Sequence, residues 1–136
     1  MRYVLDMNEQ QAKILQVALE FYARVRIGQW SEIPRICLDI KDKHWQEKME
    51  DSTLFLEGAR KFVYPDLMKS MAHSYGVGKF PDADMALELY TTVRHCMALA
   101  NNPDGGCTVD YDPPISMRGN EIAKCTVKGE MEAIEK

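Results

Sequence analysis

The sequence predicts an α+β fold: helices packed with a small antiparallel sheet from the N-terminal strand and C-terminal strands. Three observations carry that expectation. Residues 1–7 alternate, with Tyr3, Leu5 and Met7 on one face and Arg2, Val4 and Asp6 on the other, the two-residue period of a strand. Four later stretches place apolar residues at helical spacing. Beyond them Ala123, Cys125 and Val127 alternate with Lys124, Thr126 and Lys128, so the strand period returns. Strands at the two ends with helices between them predict one small sheet.

Each element has its own start and stop. Asn8 is an N-cap, with Gln11 three residues on as its capping-box partner. Leu15, Ala18, Leu19, Tyr22 and Val25 follow at helical spacing, and Gly28 stops the helix. Ser31 caps a short second helix over 32–39, with Pro34 tolerated in its first turn. A third helix runs from about 43 to 63 through Trp45, Met49, Leu56 and Ala59. It ends at Tyr64-Pro65, because the residue before a proline avoids the helical region. The loop "HSYGVGKFPDAD", residues 73–84, leads into a fourth helix capped by Asp82, with Met85, Leu89, Val93 and Met97 four apart. Pro103, Gly105 and Gly106 close it. Residues 107–111 are extended by propensity, Pro113 and Pro114 interrupt them, and Arg118-Gly119-Asn120 turns into the last strand.

A chain of 136 residues predicts one domain, 1–136, and one of this size buries roughly two-thirds of its unfolded surface. The net charge of −4 argues against a nonspecific nucleic-acid binder, which would rest on phosphate neutralisation. No apolar run approaches a membrane span, and the first residues lack the apolar core of a signal peptide. A cytoplasmic protein is expected, with Cys37, Cys96, Cys107 and Cys125 reduced. None of them lies in a CxxC pair, so no zinc ribbon or redox motif is indicated.

Local chemistry reads sparsely. Asp110 and Asp112 share one side of an extended segment, with Asp104 nearby, but a calcium loop needs regular ligand offsets and a terminal bidentate Glu. No metal is expected there. The Gly76-Val77-Gly78-Lys79 step falls short of a phosphate loop, since Phe80-Pro81 follows the lysine in place of Ser or Thr. Arg24 and Arg26 sit where they favour a helix C-terminus. Arg94 and His95 lie on the fourth helix, one of them towards partner elements. Arg118 has two equal readings, a bidentate grip on phosphate or a surface pair with Asp110 or Asp112. No serine lies in a GxSxG elbow, and the histidines lack metal-ligand spacing. Binding is favoured over turnover, with no catalytic residue.

Three stretches together resemble one phage family. They are "YARVRIGQW" (22–30), "YTTVRHCMALANNPDGG" (90–106) and "TVDYDPPISMRGNE" (108–121). The first two look like the family's aromatic-x-R-x-x-x-G-Q and Y-x-x-x-R-H…NP-x-G-G elements. The third looks like its T-V-D-aromatic-D-x-P element followed by a basic residue and a glycine. "SYGVGK" also looks like a family loop. The chain thus resembles the first Thoeris anti-defence family, small phage proteins that act as sponges for immune signalling nucleotides.

The resemblance implies a function. A host TIR-domain enzyme makes glycocyclic ADP-ribose from NAD, and the family binds that signal without cleaving it. Family members also sequester cyclic trinucleotides of the CBASS defence at separate sites in a hexamer. For this chain it implies a homo-oligomer, dimer or hexamer, in the host bacterial cytoplasm during infection, with no cofactor, membrane or DNA partner. Residue by residue, the resemblance puts Arg24, Asn102, Asp112 and Arg118 against the ligand, with an offset of one open at Arg118 across the double proline. Tyr90 or Tyr75 supplies the aromatic contact. Arginines suit a diphosphate, Asp112 the ribose hydroxyls, Asn102 a base edge or ribose, and a tyrosine the adenine ring. Two other readings stand beside this one: a phage module that docks on a host protein, and a nucleotide-degrading enzyme.

Overall fold

A computed structural model of the chain describes residues 1–67, 74–117, 119 and 121–128. Its elements are α1 (Glu9–Arg26), α2 (Glu32–Cys37), α3 (Trp45–Val63), α4 (Pro81–Asn101) and a 3-10 turn, Val109–Tyr111. The four helices stand where the apolar spacing placed them. Among the described residues there is no strand, and the α+β expectation gives way to an all-helical architecture. The chain divides into two compact units, Glu20–Ala86 and Met1–Leu19 with Leu87–Lys136.

The Glu20–Ala86 unit is organised around the end of α1. A helix terminus leaves its last carbonyls without intrahelical donors. Here Gly28, at φ 102°, reverses the chain. The Gln29 amide reaches back to the Arg24 carbonyl at 2.9 Å and the Gly28 amide to Val25 at 3.1 Å, a Schellman closure. Four consecutive carbonyls then take donors from beyond the helix. Trp30 Nε1 donates to Val25 at 3.1 Å, the Tyr64 hydroxyl to Arg26 at 2.8 Å, the Tyr75 amide to Ile27 at 2.8 Å, and Arg60 Nη1 to Gly28 at 3.1 Å. Arg60 is buried and also pairs with Glu57 at 2.7 Å. Its charge sits at the negative end of the helix dipole.

Aromatic rings pack over this hub. Tyr64 and Tyr75 meet edge to face at 5.3 Å, as do Tyr75 and Phe80 at 5.5 Å, and the Arg26 guanidinium lies 3.9 Å over the Phe80 ring. α2 packs on α3. Pro81 opens α4, where its missing N–H costs nothing. Asp82, expected as the cap, is instead inside the first turn and accepts from the Tyr22 hydroxyl at 2.6 Å and Arg26 Nε at 2.9 Å. The buried Asp84 accepts from the Gly78 amide at 2.8 Å, which ties down the glycine loop.

In the other unit, Asn8 and Gln11 cap α1 reciprocally at 2.9 Å each. α4 buries Glu88, Thr91, Thr92 and Val93. The segment after the double proline docks on those polar side chains. Prolines donate no backbone hydrogen bond, so the next amides carry the attachment: Ile115 to Thr91 Oγ1 at 3.1 Å and Met117 to Glu88 Oε1 at 2.6 Å. Here lies one reason the sheet does not form. The extended segment finds its acceptors on a helix and needs no neighbouring strand.

The other expected strands fare likewise. Residues 1–7 and 121–128 lack a strand ladder, and among the described residues no backbone hydrogen bond joins them. Charged side chains do, Arg2 to Glu121 at 3.0 Å and Asp6 to Lys128 at 3.3 Å. Both partners advance along the chain together, opposite to the sense of an antiparallel pair. Residues 107–111, expected extended, contain the 3-10 turn. Of the expected turn at 118–120, Arg118 and Asn120 lie outside the described residues.

Candidate functional site

The residues that the resemblance points to fall in both units, and each unit places its own. Arg24 and Tyr75 belong to Glu20–Ala86; Tyr90, Asn102 and Asp112 belong to the other unit. Arg118 lies outside the described residues.

Arg24 is engaged by its own neighbourhood. Its Nη2 is 2.9 Å from Glu20, one turn back, and its Nη1 donates to Gln29 Oε1 at 3.1 Å. With Trp30, Ser31, Glu57 and Arg60 it lines a cavity of about 260 Å3. Tyr75 is half-buried in the aromatic cluster, with Lys79 Nζ 5.3 Å from its ring centroid.

Asn102 follows the last residue of α4, and its side chain closes the turn. Nδ2 donates to the Gly105 carbonyl at 2.6 Å, and its own carbonyl accepts the Gly105 amide at 3.0 Å. Gly105 sits at φ 83°. A Cβ on Gly106 would overlap the Tyr111 ring, so the glycine pair is required by the turn and by the ring behind it. Asp112 is exposed and follows the 3-10 turn, its amide donating to Val109 at 3.1 Å.

One further group stands between Tyr90 and this acidic turn. Arg94 lies four residues after Tyr90 on α4, one helical turn. Its guanidinium carbon is 5.1 Å from the Tyr90 ring centroid, and Nη1 reaches the Tyr90 hydroxyl at 3.4 Å. The Asp110 carboxylate is 3.7 Å from Nε, beyond ordinary hydrogen-bond length. Nε is buried and has no hydrogen-bond partner among the described residues. The side chain is only 16% exposed, so this is a largely desolvated cation held by long contacts. The sequence places Arg94 beside His95 on the fourth helix, one of them towards partner elements, but not against the ligand, although the Tyr90-x-x-x-Arg94 spacing was its signal.

α4 also borders an open cavity of about 510 Å3, lined by His95, Cys96, Leu99, Pro114 and the stretch from Ala123 to Val127. Partial burial, then a hydrogen bond to Cys96, pushes the Cys125 thiol up to about 12. Among the described residues, no three His, Cys, Asp or Glu side chains gather as metal ligands, and no helix is long and apolar enough to cross a membrane.

Compared with protein-family models, curated proteins and solved structures, the chain has no match.

Proposed function

We propose that this chain is a phage anti-defence protein that binds glycocyclic ADP-ribose and sequesters it uncleaved. The observation that carries the reading is Arg94. It lies in the Tyr90–Gly106 signature, with an aromatic ring on one side, the Asp110 and Asp112 turn downstream, and no short hydrogen bond among the described residues. A guanidinium held at 3.4 and 3.7 Å exchanges those contacts readily for phosphate oxygens at about 2.8 Å, which are charge-assisted and bidentate. The ring that Arg94 now covers is then free to stack on a base, worth about 1–3 kcal/mol. The exposed Asp112 carboxylate accepts from ribose hydroxyls.

Calorimetry of the full chain against glycocyclic ADP-ribose tests the reading, followed by heat denaturation and chromatography of the released ligand. Tight binding and intact ligand are expected. Arg94→Ala should weaken binding about 100-fold or more, through two lost charge-assisted hydrogen bonds, and Asp112→Ala by less. Recovery of hydrolysed product alone would turn the reading to a degrading enzyme. An Arg94→Ala chain that binds like wild type would place the ligand elsewhere. A parallel titration with a cyclic trinucleotide tests the separate second activity that the resemblance implies.

A further inference from the structure

Cys96 and Cys125 stand far apart in the sequence, and no CxxC spacing marks them as a pair. The fold brings them together. Cys96 is half-buried on α4 and lines the open 510 Å3 cavity. Cys125 lies on the stretch from Ala123 to Val127 that lines the same cavity, and its thiol is within hydrogen-bond reach of Cys96. Both belong to one compact unit. Cys37 belongs to the other unit, and Cys107 is exposed on the turn after α4.

The two sulfurs are not equivalent. Partial burial, then the hydrogen bond to Cys96, then the charge that Cys96 carries when ionised, push the Cys125 thiol up to about 12. Cys125 therefore keeps its proton at neutral pH and donates it to Cys96. The thiolate, not the thiol, attacks a disulfide, so the first attack falls to Cys96. The cavity gives a small reagent access to it. Lys124 lines that cavity too, and its ammonium suits a reagent that carries carboxylates. Part of the obstacle at Cys125 comes from Cys96 itself. Once the Cys96 sulfur is bound in a disulfide it has no charge, and Cys125 ionises more easily. The second sulfur is thus released for reaction only after the first has reacted.

We propose that Cys96 and Cys125 form a modification site for a low-molecular-weight disulfide of the glutathione class, which oxidises the pair to an internal disulfide. The Cys96 thiolate attacks one sulfur of glutathione disulfide. That S–S bond breaks, a bond from Cys96 to glutathione forms, and the first glutathione leaves with the proton that Cys96 gave up. The Cys125 sulfur then attacks Cys96 Sγ and displaces the second glutathione, which takes the Cys125 proton. Two cysteine thiols lose two electrons, and one glutathione disulfide becomes two glutathione thiols. Closure needs the two Cβ atoms about 3.5–4.5 Å apart. Among the described residues no strand ladder holds 121–128, so this stretch can follow its sulfur towards α4. The bond pins it there, beyond the anchors that Ile115 and Met117 already make on the same helix. The proposal is independent of the nucleotide reading.

Incubation of the full chain with glutathione disulfide tests it, followed by acid quenching, alkylation and mass spectrometry of the peptides. A peptide pair linked through Cys96 and Cys125 is expected. At about 1 μM chain, this link should outpace links between chains about 1000-fold, because an internal partner acts at about millimolar effective concentration. Hydrogen exchange at 121–128 should slow in the oxidised chain and recover on reduction with dithiothreitol. Cys125→Ser should stop at a glutathione adduct on Cys96, with circular dichroism as the check on folding. The wild-type peptide map decides the proposal even if that variant fails to fold. A wild type that gathers glutathione adducts without an internal link would overturn it. So would a link from Cys107 to either sulfur that forms as fast, or a folded Cys125→Ser chain that takes glutathione at Cys37 and Cys107 but not at Cys96.

Discussion

The Glu20–Ala86 unit and the unit formed by Met1–Leu19 and Leu87–Lys136 solve the same problem in opposite ways. In the first, the acceptors are backbone carbonyls at the end of α1, and the donors come from Trp30, Arg60, Tyr64 and Tyr75. In the second, the donors are backbone amides of an extended segment, and the acceptors are the side chains of Thr91 and Glu88 on α4. Both satisfy buried polar groups, as folded chains must. A helix end fixes several elements at one point, whereas a helix face pins one segment along a line. The first arrangement should fail as a whole and the second locally.

Four measurements can break or sharpen that contrast. The largest effect is expected from Arg60→Ala, which removes a buried cation, its hydrogen bond to the Gly28 carbonyl and its ion pair with Glu57. Urea unfolding should show a loss of about 3 kcal/mol. Glu88→Ala comes next. It deprives the Met117 amide of its acceptor and should cost about 2 kcal/mol, with hydrogen exchange speeding at residues 115–117 before the rest of the unit. Glu88→Gln, which keeps an acceptor oxygen, should restore most of the protection. If Glu88→Ala instead unfolds both units together, the contrast is wrong.

A third, reactivity experiment probes the same unit without a mutation, with Cys37 of Glu20–Ala86 as a reference. Cys37, Cys107 and Cys125 are all exposed, so at pH 8 the raised thiol of Cys125 should be what makes it label with a maleimide more slowly than the other two. Mass spectrometry of the labelled peptides reads the order.

Tyr22→Phe should have the smallest effect, and one that depends on pH. The bond from the Tyr22 hydroxyl, followed by that from Arg26, holds the Asp82 carboxyl below its ordinary 3.8. The same bond raises Tyr22 above its ordinary 10.0. A lowered carboxylate stabilises the fold above its unfolded value and loses that contribution as pH falls through the folded one. A raised phenol stabilises below its unfolded value and loses the contribution as pH climbs through the folded one. Wild type should therefore lose a small increment at both ends, while Tyr22→Phe flattens the alkaline limb and reduces the acid one. Urea midpoints from pH 2 to 11 decide it.

What the sequence disclosed was local. Asn8 with Gln11 and the Gly28 stop are signals complete within a few residues, and the reciprocal 2.9 Å bonds and the positive φ answer to them. Periodicity located the four helices for the same reason. It could not say what an extended segment pairs with. Alternation in 1–7 and 123–127 reports backbone conformation, while the acceptors that replace a neighbouring strand for residues 115 and 117 are Thr91 and Glu88, hidden inside a helix. Asp82 shows the same limit: a cap by local rules, but bound by Tyr22 and Arg26 from far along the chain. At the candidate site, Arg94 was readable from its distance to Tyr90, but its loose hold on Asp110 was not.

The hub at the end of α1 also bears on how this chain is born. During synthesis α1 emerges early and N-terminal segments organise first. Yet the Ile27 carbonyl must wait for the Tyr75 amide, and Gly28 for Arg60. Until then the end of α1 stays hydrated, and a nascent chain stalled before residue 60 offers a protease an open turn at 27–30. Once Tyr75 clears the ribosome, the turn should become resistant in a single step, which arrest peptides of graded length would resolve.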